Sequence, residues 1–158
     1  MLRHSLLALA ILVMLPAVSS AGSFTYYGPH VGMQQRPDQT VLGWQLQYNG
    51  VAPRVAFVPG IDFGFGENLT LISMNGDFHY GVVTGNTWQP YVGGGVSMNM
   101  FRESDRRGTT SHTEPGGQFI VGAAVRNQAG GRFFTELKFG FGEAPDLKLL
   151  AGFNLRPR

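Results

Sequence analysis

Along most of the chain, apolar and polar residues alternate with period two and helical periodicity is almost absent, the signature of strands with two unlike faces. From Trp88 to Phe101 the even positions are Trp88, Pro90, Val92, Gly94, Val96, Met98 and Met100; the odd ones are small, polar or aromatic. Arg132–Gly142 sets Phe133, Thr135, Leu137, Phe139 and Phe141 against Arg132, Phe134, Glu136 and Lys138. Asp146–Leu155 sets Leu147, Leu149, Ala151 and Phe153 against Lys148, Leu150 and Asn154. Val41–Asn49, Arg54–Phe65 and Gln118–Asn127 alternate in the same way.

Two segments are less regular. In Leu69–Val82 the apolar positions start odd (Leu69, Leu71) and become even (Ile72, Met74, Phe78), which predicts a β-bulge near Leu71-Ile72. Phe24–Met33 contains Pro29 and predicts an irregular strand. The total is eight strands, joined by connectors rich in turn residues, with Arg102–Gly116 the longest. Sequential hairpins predict an all-β, eight-stranded antiparallel up-and-down barrel, because closure removes the edges of an open sheet.

Charge decides which face lies inside. Asp62, Asp77, Glu136, Lys138 and Lys148 share the non-apolar face with His79, Gln45, Gln47, Asn75, Ser97, Asn99 and Asn154. Glycine is frequent on that face too, and an eight-stranded interior is only wide enough for side chains to fill it. A polar network in the lumen built on Asp62, Asp77, His79, Glu136, Lys138 and Lys148 is therefore expected, with the apolar face turned to lipid. Trp44, Tyr48, Tyr80, Trp88 and Phe101 are expected as interfacial aromatics near strand ends. With both ends of the barrel periplasmic, Arg102–Gly116 becomes an external loop, and the periplasmic connections at Gly50, Val83 and Gln128 are all short.

Composition narrows the class further. The 158 residues are 43% hydrophobic and 14% charged, enough for one domain with a core and too apolar for an acidic disordered chain. The absence of Cys excludes a disulfide scaffold, a thiol nucleophile or Cys-ligated zinc. A formal charge of +2 supports no nucleic-acid partner. Residues 1–21 read as a secretory signal peptide, with Arg3 and His4 before the apolar run Leu6–Leu15 and Ser19-Ser20-Ala21 at the cleavage site; residues 22–158 form the barrel domain.

The eight-strand pattern, the stretch Gln89-Pro90-Tyr91-Val92-Gly93-Gly94-Gly95-Val96 and the closing Leu147–Leu155 segment resemble the small bacterial outer-membrane β-barrel proteins of the OmpX and OmpW sort. The resemblance implies a cell outer membrane location, with the lipid bilayer and the barrel assembly machinery as partners. Many members finish on a terminal aromatic, whereas here Phe153-Asn154-Leu155 is followed by Arg156-Pro157-Arg158. OmpW-like relatives are associated with small hydrophobic solutes, which keeps a small-solute transport barrel as an alternative; a soluble periplasmic ligand-binding barrel is another.

Candidate chemistry is sparse. Ser111-His112-Thr113-Glu114 is the compact Ser/His/acid set, but it lies in the longest polar segment, where nothing fixes a rotamer. Ser73, Asp77 and His79 share one strand face and suit a hydrogen-bond network better than catalysis. No catalytic residue, metal site or cofactor is expected, and Gly64-Phe65-Gly66 lacks the helix and third glycine of a dinucleotide site. Asn68-Leu69-Thr70 matches a glycosylation sequon, which in a bacterial exported protein is usually coincidence. Arg54, Arg126, Arg132, Arg156 and Arg158 gather at periplasmic strand ends as a basic rim or as snorkelling side chains. The function expected is non-enzymatic, structural or surface-interactive, with a possible extracellular partner at the 102–116 loop.

Overall fold

The computed structural model describes residues 22–66, 69–82, 87–105, 108–128 and 130–157; residues 1–21, expected as a signal peptide, Asn68 and Arg158 lie outside them. Eight strands run β1 Ser23–Gln35, β2 Gln39–Ala52, β3 Val55–Phe65, β4 Leu69–Gly81, β5 Trp88–Asp105, β6 Gly108–Arg126, β7 Arg132–Gly142 and β8 Leu147–Asn154. Each pairs antiparallel with its sequence neighbours, and β1 pairs with β8 from His30↔Gly152 to Gln35↔Leu147, closing the barrel. The bridge Tyr27↔Leu155 extends that seam. We call the end that carries Ser23 and Asn154 the terminal end and the other the far end.

The alternation sorts the side chains. Val96 and Met33 are each 69% exposed on the outside, whereas Glu136 and Lys148 are 2% and 1% exposed inside. Leu42, Met74, Phe119, Phe133, Leu137, Phe139 and Leu149 continue the outer apolar belt. An apolar belt around a barrel whose charges are internal is the inverse of a water-soluble protein, and it places the chain in a lipid bilayer.

Two expectations are corrected, and a third, the irregular first strand, holds for a different reason. The Leu71-Ile72 bulge is absent: β4 pairs with β3 and β5 without a register shift, and Leu71 points inward at 1% exposure. An apolar lumen residue, not an extra residue, changed the apolar phase. The irregularity of β1 lies between Phe24 and Tyr26, while Pro29 keeps its place in the ladder opposite Trp44. Finally, Arg102–Gly116 is no loop. Its described residues, 102–105 and 108–116, belong to β5 and β6 and are paired through Arg102↔Ser111 to Asp105↔Gly108 at the end of that hairpin. A hairpin beyond the membrane meets water on both faces, so alternation vanishes although Thr109, Thr110 and Thr113 keep its β propensity.

Candidate functional site in the lumen

Inward positions of seven strands converge on two linked charge clusters. In the first, Asp62 on β3 accepts from Lys148 Nζ at 2.9 Å and Asn75 Nδ2 at 3.0 Å, and its other oxygen meets His30 Nε2 at 2.7 Å. In the second, Asp77 on β4 accepts from Lys138 Nζ at 2.7 Å and Gln118 Nε2 at 2.6 Å. Lys138 also lies 3.6 Å from Glu136, whose other oxygen accepts from the Tyr91 hydroxyl at 2.7 Å. His79 stacks on the Tyr91 ring, centroids 4.7 Å apart, with Nε2 4.0 Å from Glu136. Gln118 reaches Asn75 Oδ1 at 3.4 Å, which joins the clusters.

The six residues read from the sequence as a lumen network thus all lie inside the barrel. Within it Lys148 pairs with Asp62, and Lys138 with Asp77 and Glu136. His30, Tyr91 and Gln118 were missed as members. His30 had no visible partner in sequence, since Asp62 is two strands away; Tyr91 and Gln118 carried no signal beyond the parity of their strands.

Glycine makes the clusters fit. A Cβ on Gly43 would collide with the His30 ring and Asp62 Oδ1, and one on Gly95 with Asp77 Oδ1 and the Gly76 carbonyl. Because backbone cannot yield as a flexible side chain can, Gly95→Ala is expected to lower stability by about 1–3 kcal/mol through overpacking. Gly94→Ala, where a Cβ on the outer face meets only the Gln118 carbonyl at 3.4 Å, should be nearly neutral. Urea unfolding midpoints in lipid vesicles read the difference; equal midpoints would mean that Asp77 is free to move aside.

The lumen is packed toward the far end. Ser73 donates to Asn99 Oδ1 at 2.7 Å, and Asn99 donates to Ser97 Oγ at 3.0 Å and to the Glu143 carbonyl at 3.1 Å. That last contact draws the β7–β8 turn over the mouth, where Ala144 is 5% exposed and Pro145 is buried. Leu71 and Val41 are buried inside, and Gln39 donates to the Leu69 carbonyl at 2.6 Å. Toward the terminal end, Tyr91, Ile120, Ala124 and Phe134 form an apolar cluster. Below it a vestibule of about 850 Å³ opens, reached by His79, Tyr91 and Arg132.

Of the expected interfacial aromatics, Tyr48, Tyr80 and Trp88 lie toward the terminal end on the outer face. Tyr48 lies 5.5 Å from Phe24, ring centre to ring centre. Trp44 faces outward at the middle of its strand, opposite Pro29 and Ile61, so it sits within the apolar belt instead of at its rim. Phe101 is corrected outright. It has the inward parity of Ser97 and Asn99 and stacks on His112 at 4.9 Å near the far mouth.

The Ser111/His112/Glu114 set does not assemble. Ser111 and His112 are neighbours on opposite faces of β6, and the His112 ring is taken up by Phe101. Ser73 donates to Asn99, not to His79. Among the described residues no group of three His, Asp or Glu is placed to hold a metal ion.

Comparison with solved structures decides the fold. Neisserial surface protein A matches with a TM-score of 0.68 at 11% identity, over 85% of this chain and 96% of that one. The N-terminal β-barrel domain of Pseudomonas aeruginosa OprF matches at 0.63 and 15% identity, over 85% and 99%. The chain has the fold of the small eight-stranded outer-membrane barrels. A de novo designed transmembrane β-barrel shares it as well, at TM-score 0.57 and 19% identity over 86% and 96%, which underlines that this architecture follows from strand patterning. No family model matches the sequence, and no curated protein does.

Proposed function

We infer that the protein is a non-enzymatic bacterial outer-membrane barrel with a surface-interaction role, in which a rigid, packed barrel carries the β5–β6 hairpin as its contact element. The carrying observation is how far that hairpin projects. β4 stops pairing with β5 at Glu103, and β7 stops pairing with β6 at Gly116, so Gly108–Pro115 pair with β5 alone. Its exposed residues Thr109, Thr110, Ser111 and Thr113 offer hydroxyls on a paired backbone instead of a flexible loop, which lowers the ordering cost of recognition.

The two alternatives fit less well. A transport barrel needs a continuous path, whereas Asp62, Asp77, Glu136 and their partners fill this lumen and the β7–β8 turn lies over the far mouth. A soluble ligand barrel needs a polar exterior, whereas the outside here is Val, Leu, Met and Phe.

The test replaces Arg102–Ser111 by Asn-Gly, a two-residue turn that joins the paired residues Phe101 and His112. Shortening a hairpin changes closure entropy by only about 1 kcal/mol or less, so the variant should fold, seen as an unchanged gel shift between boiled and unboiled samples. Cells carrying the full chain should bind features on arrays of immobilised glycans and host proteins that cells with the trimmed variant do not. Identical array patterns would overturn the surface role, and sugar flux into vesicles holding the pure protein would favour transport.

A further inference from the structure

The terminal-end vestibule, about 850 Å³, plays no part in the surface role above. Its most unusual feature is Arg132, whose side chain reaches it from the first residue of β7. Among the described residues Arg132 has no carboxylate within ion-pair distance, its Nε is buried without a hydrogen-bond acceptor, and its guanidinium rests 4.2 Å above the Tyr26 ring. Arg132 is half-buried, and a guanidinium partly drawn out of water normally takes an anion in exchange, because a cation–π contact offsets only part of the lost hydration.

The surroundings leave that role open. The carboxylate above it on the same strand face, Glu136, is engaged by Tyr91 at 2.7 Å and by Lys138 at 3.6 Å. His79 Nε2, also without a hydrogen-bond partner, sits 4.0 Å from the same carboxylate. Arg126, the ladder partner of Arg132, and Arg54, on the vestibule rim, add positive charge. Gln47, Asn49 and Gln89 contribute amides, while Val51, Pro53, Ala56 and Pro90 make an apolar wall. At about 850 Å³ the space matches sites for small organic molecules.

We propose that this vestibule binds a small amphiphilic oxyanion, with its phosphate or carboxylate held by Arg132 and its apolar body against the Val51, Pro53 and Pro90 wall. The planar fork of Arg132 can grip two oxygens at once, and the vestibule amides can satisfy a third. The basic cluster that the sequence places at this end thus has a specific use: Arg132 is the anchor, and Arg54 and Arg126 raise the local concentration of anions.

The test titrates phenyl phosphate into the isotope-labelled full-length barrel in an uncharged maltoside detergent, following the amide resonances of the vestibule by NMR. Saturable shifts confined to Gln47, His79, Gln89 and Arg132 are expected, and benzyl alcohol, the uncharged counterpart, should give none. Arg132→Gln should weaken binding by about tenfold or more, the loss expected for a charge-assisted hydrogen-bonded pair, and Arg54→Gln by less. Arg132→Lys keeps the charge without the fork and should fall between them; it serves if the Gln variant does not fold. Nanodiscs of a phosphate-free glycolipid, with and without phosphatidylglycerol, separate the sources. Shifts of the same resonances from phosphatidylglycerol alone identify a lipid headgroup, and binding of the soluble probe in both lipids identifies a soluble anion. Benzyl alcohol binding as well as phenyl phosphate, or unchanged affinity in both Arg132 variants, would overturn the proposal.

Discussion

Replacing Lys138 by Met is expected to lower the stability of the barrel by about 3–5 kcal/mol, the usual penalty for removing one partner from a buried ion pair. Lys138 Nζ lies 2.7 Å from Asp77 and 3.6 Å from Glu136, and all three side chains are at most 5% accessible. Without the ammonium, two carboxylates share a confined space with hydrogen bonds only from Gln118 and Tyr91. The lost charge, not the lost volume, sets the penalty, since Met fills nearly the same space. Adding Asp77→Asn and Glu136→Gln to Lys138→Met should therefore restore most of the stability. The cycle is read from urea unfolding in lipid vesicles by the gel shift of the folded form. If Lys138→Met unfolds at the wild-type urea concentration, water reaches the cluster and the lumen is wet.

A second cycle pairs Lys138→Met with Lys148→Met. The clusters around Asp62 and Asp77 are joined through Asn75 and Gln118, so the two losses are expected to be non-additive. A network of this kind also fixes register. A strand slipping by one residue would turn Lys138 to lipid and Leu137 into the lumen, exchanging the best position of each for its worst.

What could be read from the sequence follows the same physics. Alternation reports the face on which a side chain lies, so it located all eight strands and put the six charged or titratable lumen residues inside. It does not report partners. Asp62 and Lys148 lie 86 residues apart and meet only because β8 closes on β1 and brings Lys148 across the lumen. Alternation also fails wherever the two environments are alike. Leu71 and Phe134 are apolar yet internal, and the former imitated a bulge. At the hairpin tip both faces meet water, and there a paired strand looked like a loop. Phe101 was misplaced because aromatic residues suit a membrane rim and a barrel mouth equally well, and only parity distinguishes them.

The lipid-facing belt leads to the second large effect. Leu137 occupies the middle of β7, opposite Val121 and Leu149, with 38% of its surface open to the outside. Leu137→Arg should cost about 2–4 kcal/mol, the penalty of a basic side chain at the bilayer mid-plane. The same change at Phe141, on the same face but at the far end of β7, should cost only about 0–1 kcal/mol, because near the interface an arginine can snorkel to water. Depth is the main difference between the two positions, since both side chains face outward and neither touches the charge clusters. Unfolding midpoints in vesicles give the comparison, and repeating it in thinner bilayers should shrink the penalty at Leu137 first. If the two positions tolerate arginine equally well, the apolar face does not meet lipid. The barrel would then need another apolar partner to cover the belt formed by Val96, Phe119, Phe139 and Leu149.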